Sequence, residues 1–174
     1  MPAEIVAAGD GEPMRSRSHG QDWIVSWQLP TTTPAGTSNG AAGVCLTDAG
    51  ELVLISHDGT HWGFPAGRPD GDEAPLDTLR REMLEEACAT VVDARLLGFA
   101  RSRCVGGRQR GLVLVRSYWR ALVEIGPWEP AFEIRHRRVV PVTEAWRHVQ
   151  DPDLAETRIS HRALLEAGLS SGHL

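Results

Sequence analysis

Glu82, Glu85 and Glu86 fall within five residues of one another in Arg81-Glu82-Met83-Leu84-Glu85-Glu86. If the segment is helical, the i, i+3 and i+4 spacing puts all three carboxylates on one narrow arc. Leu76, Leu79, Met83 and Ala87 form the adjoining apolar stripe, so the helix buries one side and presents a carboxylate cluster from the next. Like charges at this spacing destabilise an isolated helix by roughly 0.3 kcal/mol per pair, and the repulsion grows if water is partly excluded. Such a cluster calls for a positive partner. A solvated acidic face with Arg neighbours is the ordinary explanation of these six residues alone, and the surrounding sequence decides against it.

Gly67, five residues, Glu73, seven residues and then Arg81-Glu82-Met83-Leu84-Glu85-Glu86, preceded by Trp62-Gly63-Phe64-Pro65-Ala66, closely resembles the Nudix box and its lead-in. Two positions depart from the family pattern. Cys88 stands where a Gly is usual and Ala89 where a large aliphatic residue is usual. Because Gly takes a positive φ without steric cost, the chain is expected to leave this helix by a differently shaped turn. Neither departure removes a carboxylate.

The resemblance implies an α/β fold, a mixed β-sheet sandwiched between helices, and an enzyme: a pyrophosphohydrolase cleaving a nucleoside diphosphate derivative by water attack on phosphorus. A pyrophosphate can approach three carboxylates only with divalent cations between them, and Mg²⁺ or Mn²⁺ suits hard oxygen ligands. By position in the box, Glu82, Glu85 and Glu86 would be the metal ligands, with the backbone carbonyl of Ala66 as a further one. Glu85 and Glu86 would take part in catalysis, Arg81 would orient the carboxylates through its forked donors, and Glu73 would support the start of the helix. The general base would be Glu133, in the loop before a later strand, with Glu129 as the rival. A Nudix-fold module that binds or senses a nucleotide with little or no cleavage is the alternative; such modules typically lose box carboxylates, and this chain keeps them.

Arg103 and Arg108, with Arg110, surround the turn Gly106–Gly111 and could meet substrate phosphate, since Arg matches it bidentately; solvated hairpin arginines are the more ordinary explanation. Trp23 and Trp27 read as core before they read as base-stacking residues. His57 and His61 have no third ligand at metal-like spacing. "RCVGGRQ" carries none of the Pro, Tyr or aromatic markers of particular Nudix branches, so the substrate stays open.

The elements that must position these residues fit one domain of 174 residues. Residues 1–20 read as a flexible tail and 21–170 as the domain. "WIVSW" reads as the first strand, "PTTTPAGTSNG" as a loop, and the two apolar runs around Asp48-Ala49-Gly50-Glu51 as a hairpin. Leu52-Val53-Leu54-Ile55 is apolar on both faces, which implies a sheet covered on both sides. Helical periodicity begins at Pro75 and ends near Cys88. Two long strands, 94–105 and 111–125, a short strand near Arg138–Val142 and helices near 143–149 and 154–167 complete the order. A net charge of −5, with Arg as every basic residue, disfavours a nucleic acid polymer as partner. Three widely spaced cysteines, no basic-apolar leader and no long apolar run point to a reduced, cytoplasmic setting away from membranes. The expected partner is a small molecule; the oligomeric state is open, a homodimer among the options.

Overall fold

A computed structural model describes residues 4–134 and 136–169. Its elements in chain order are β1 (Met14–Ser18), β2 (Gln21–Gln28), β3 (Thr37–Leu46), β4 (Glu51–Ser56), β5 (Ala66–Gly67), α1 (Pro75–Ala87), β6 (Ala89–Gly106), β7 (Val113–Ile125) and β8 (His136–Pro141). A 3₁₀ turn (Val142–Glu144), α2 (Ala145–His148) and α3 (Leu154–Glu166) follow. The strands form one sheet in the order β1-β2-β6-β7-β3-β4-β8, with β5 paired to β3. Of the paired strands, β3 and β7 alone run parallel, so the sheet is mixed.

Alternation along the strands supplies two cores. On β4, Val53 and Ile55 join Leu79, Met83 and Ala87 of α1, whereas Leu52 and Leu54 join Ile159 and Leu164 of α3 on the opposite face. On β3, Cys45 and Val44 divide in the same way. The doubly apolar run Leu52–Ile55 is therefore a strand covered on both sides, and the fold is an α/β/α sandwich, as expected. Successive strand residues point to opposite faces, so a strand covered on both faces reads as a continuous apolar run rather than an alternating one.

Three expectations need correction. The segment 1–20 is not loose over its described length: Met14–Ser18 pairs with β2 as an edge strand, and the chain before it is strapped to α3. Arg158 Nη2 meets Glu12 at 2.7 Å, Arg162 Nη1 donates to the Ala8 carbonyl at 2.9 Å, and Ala8 N–H donates to the Arg158 carbonyl at 3.0 Å. β3 starts at Thr37, inside the segment read as a loop, because Thr37 and Ser38 pair with Leu114 and Val115 of β7. The helix expected at 143–149 is a 3₁₀ turn running into a four-residue α2. Residue 170, the expected end of the domain, lies outside the described residues.

The helix exit is also not as expected. Cys88 takes the left-handed conformation, φ 51° and ψ 43°, and its N–H donates to the Met83 carbonyl. The usual glycine geometry is thus kept by a residue with a Cβ, at a conformational cost of about 1–2 kcal/mol. Ala89 is fully buried and begins β6 against the α1 core. All three cysteines are unpaired, and among the described residues no helix is long and apolar enough to cross a membrane.

Candidate active site

Helix α1 is anchored by Leu79, Met83 and Ala87, all buried at a spacing of four. This turns Glu82 and Glu86 toward β5 and leaves Glu85 at the rim. Gly67 of β5 is needed for that approach: a Cβ there would lie 2.0 Å from Cδ of Glu82. Gly40 is needed in turn, since its φ is +88° and a Cβ would lie 1.7 Å from the Gly67 carbonyl oxygen. Backbone and carboxylate thus meet where only glycine fits.

The positive group the cluster calls for is Arg81. Its Nη1 donates to Glu82 Oε1 at 2.9 Å and to Glu85 Oε2 at 3.2 Å, while Nε and Nη2 form a fork on Glu73 at 3.0 and 2.9 Å. Nη2 also donates to the Arg68 carbonyl at 2.8 Å, fixing the loop before the helix. Glu73 accepts from Thr78 Oγ1 at 2.7 Å and from Asp70 N–H. The Arg81 fork holds its carboxyl well below the usual glutamate range, with Thr78 assisting. Glu73 therefore supports the start of α1, whose N-cap, Ala74, makes no side-chain cap bond.

Glu86 is set apart from this network. It accepts a single hydrogen bond, from the Ala66 N–H at 2.7 Å, and no arginine forms an ion pair with it among the described residues. Burial pushes its carboxyl up to about 7, against the Ala66 hydrogen bond and with Glu82 adding to the rise. Burial likewise raises Glu82, with Arg81 opposing. Glu82 and Glu85 share Arg81 with Glu73 and with Asp70, whose carboxylate is 3.1 Å away, whereas Glu86 is half-buried and has no ion-pair partner among the described residues.

As hard oxygen donors the three glutamates fit a divalent cation. Among the described residues, however, no three His, Cys, Asp or Glu side chains already converge on one point as a cage. Glu82 and Glu85 are turned onto Arg81, and Glu86 onto Ala66 N–H, so binding a cation requires carboxylate rotation within the site.

A cleft of about 640 Å³ opens beside β5. Arg68 and Pro69, directly after the box Gly67, form one wall, and Trp23, Leu112, Leu114, Arg116 and Glu156 line the rest. Arg116 Nε donates to the Asn39 carbonyl at 3.2 Å, its terminal nitrogens make no hydrogen bond among the described residues, and its charge acts on both Glu86 and Glu156.

The expected phosphate contacts lie elsewhere. Ser102 faces the cleft, so its neighbour Arg103 faces away from it, and Arg108 is exposed in the turn after β6. Arg68 and Arg116 line the cleft, and Arg103 and Arg108 are not among its lining residues. Arg116 had a signal in the sequence: it interrupts the apolar row Leu114, Arg116, Tyr118 on one face of β7. Glu133 and Glu129 are exposed in the loop between β7 and β8. Neither side chain makes a hydrogen bond or ion pair among the described residues. The loop is tied to the end of α1 through Cys88 Sγ, 3.5 Å from the Glu129 carbonyl, and through buried Ile134 in the α1 core.

The model of the NUDIX domain family matches residues 37–164, a span containing the box, the carboxylates and Arg116. The fold and site define a Nudix hydrolase, a class of pyrophosphohydrolases. The chain belongs to the NUDIX domain family. Among solved structures, the Bacillus subtilis pyrophosphohydrolase BsRppH superposes with a TM-score of 0.63 at 18% identity, over 89% of this chain and 98% of that one. A NUDIX hydrolase from Nitrosomonas europaea gives 0.56 at 17%, over 78% and 91%. A MutT protein from Methanosarcina mazei gives 0.53 at 14%, over 77% and 96%. No curated protein matches the chain.

Proposed function

We propose that this protein hydrolyses a pyrophosphate bond in a nucleoside diphosphate derivative, with Mg²⁺ or Mn²⁺ held by Glu82, Glu85 and Glu86. The observation that carries the proposal is Glu86: a half-buried carboxyl with no cationic side chain paired to it among the described residues, beside two carboxylates already served by Arg81. A buried charge without a partner is costly, and a cation arriving with the substrate would remove that cost. When bound, such an ion neutralises phosphate charge and lowers the pKa of a coordinated water.

The chain's own residues have separable tasks. Arg81 holds Glu82 and Glu85 in place through Nη1, and Glu73 keeps Arg81 in place. Glu86 must lose its proton for the site to form, and Ala66 N–H stabilises the resulting anion, while the Ala66 carbonyl is assigned as a further ligand. Arg116 and Arg68 bind the phosphate chain at the mouth of the cleft. Glu133 is assigned as general base, taking the proton of the attacking water after its loop closes on the site. Retention of all box carboxylates favours hydrolysis over a purely regulatory binding role.

The test is a screen of nucleoside triphosphates, nucleotide sugars and other nucleoside diphosphate compounds with Mg²⁺ or Mn²⁺, with products followed by chromatography and by phosphatase-coupled release of phosphate. Divalent-dependent cleavage between two phosphorus atoms is expected. Cleavage that survives chelation, or none across the panel, would overturn the assignment.

A further inference from the structure

Glu156 is a carboxylate that the hydrolytic machinery does not use. It sits in the first turn of α3, lines the cleft next to Arg116, and its carboxylate makes no hydrogen bond or close ion pair among the described residues. Burial pushes its carboxyl up, the Arg116 guanidinium pulls it down, and Asp151 and Asp153 oppose that pull. Service to the helix dipole does not account for this position, because Asp153 already caps α3 by accepting from the Ala155 and Glu156 N–H groups at 2.9 and 3.3 Å. What remains is a half-buried acceptor, aimed into a cavity and unsatisfied by the protein.

Arg116 acts electrostatically on both Glu86 and Glu156, and its terminal nitrogens, which make no hydrogen bond among the described residues, suit a phosphate. Trp23, Val25, Leu112 and Leu114 line the same cleft and give walls suited to a flat apolar ring. Glu156 is the carboxylate among the residues that line it. An ionised carboxylate only accepts hydrogen bonds, and it best accepts two from adjacent donors. Among the nucleobases, guanine alone presents such a pair, N1–H beside the N2 amino group. Adenine and cytosine place a donor beside an acceptor, and uracil flanks its single donor with acceptors.

We infer that Glu156 determines specificity by accepting from N1–H and N2–H of a guanine base, so that the substrate class is guanine nucleotides. This rests on the cleft being the nucleotide site, and its test is kept independent of hydrolysis. GMP, IMP, AMP and dGMP contain no pyrophosphate bond, so their binding to the full chain can be measured by titration calorimetry whether or not the protein cleaves anything.

GMP is expected to bind at least tenfold more tightly than AMP or IMP, since one bidentate base contact discriminates on the order of tenfold to a hundredfold; dGMP should bind within threefold of GMP. In Glu156→Gln the GMP-to-AMP ratio should fall at least tenfold. Glu156→Asp, which keeps the charge at the end of α3 but shortens its reach, should lose the ratio as well, and melting curves of both variants establish that they are folded. Equal binding of GMP and AMP, a ratio that survives Glu156→Gln, or no binding of any of the four would overturn the assignment. Tight GMP binding lost on going to dGMP would give Glu156 to the ribose hydroxyls and overturn it too. The hydrolase assignment stands or falls on the pyrophosphate screen alone.

Discussion

Replacing Glu86 by Gln removes an ionisable group from a half-buried position while keeping its volume and its hydrogen bond from Ala66 N–H. In the folded protein without metal the Glu86 carboxyl titrates near 7, against 4.5 for an unperturbed glutamate. At about 1.4 kcal/mol per pH unit, the gap corresponds to about 3 kcal/mol. The folded pKa is the higher one, so the folded state binds the proton more tightly than the unfolded chain. The stability it contributes is fully present below about pH 4.5 and is lost as pH rises through about 7. Urea denaturation in EDTA at intervals from pH 4.5 to 8 should therefore show the wild type losing about 3 kcal/mol relative to Glu86→Gln, with the variant the more stable protein at pH 8. Added Mg²⁺ or Mn²⁺ should restore the wild type at pH 8, by about 2.7 kcal/mol at a hundredfold excess over the dissociation constant, and leave the variant nearly unchanged. A difference between the two proteins that does not vary with pH would refute the reading of Glu86 as a desolvated acid without an ion-pair partner.

Three further outcomes are expected. Gly67→Ala places a methyl group on the Glu82 carboxylate; it should cost about 1–3 kcal/mol of stability and at least tenfold in turnover, measured by denaturation and by initial rates. Cys88→Gly relieves the left-handed residue at the end of α1 and should stabilise the protein by about 1 kcal/mol, which thermal melting would register as roughly 2–4 °C. Glu133→Gln should lower the maximal rate far more than it raises KM, and Glu129→Gln should do neither; a larger rate loss in Glu129→Gln would move the general base there.

The box helix was legible because its two periodicities agree: Leu79, Met83 and Ala87 fix the buried side, and the carboxylates then have one face left. The run Leu52–Ile55 announced the two-sided sheet for the same reason. β1 was hidden because Met14-Arg15-Ser16-Arg17-Ser18 has little apolar alternation. Its order comes from pairing with β2 and from Asp153, far along the chain, which accepts from Ser16 Oγ and Arg17 N–H. The left-handed Cys88 shows tertiary context overriding local preference: β6 must start at Ala89 to pair with Ile125, and the chain turns there with or without a glycine. In the site, the partition of the glutamates between Arg81 and Ala66 depends on side-chain reach across β5, which spacing alone does not give. Arg116 and Glu156 are each one of several charges in an amphipathic element, and the cleft that sets them apart is assembled from β1, β2, β3, β6, β7 and α3.

In the proposed mechanism these carboxylates direct water onto phosphorus in a divalent-dependent reaction. The most direct measurement is turnover of the best pyrophosphate substrate in ¹⁸O-enriched water by wild type and Glu86→Gln, with the products read by mass spectrometry. One ¹⁸O should appear per cleavage, on a phosphate product of the wild type in Mg²⁺ or Mn²⁺. The Glu86→Gln rate should be lower by two powers of ten or more, about 3 kcal/mol of transition-state stabilisation. Label on a carbon-bound oxygen, or near-full turnover by Glu86→Gln at saturating divalent cation, would contradict the account.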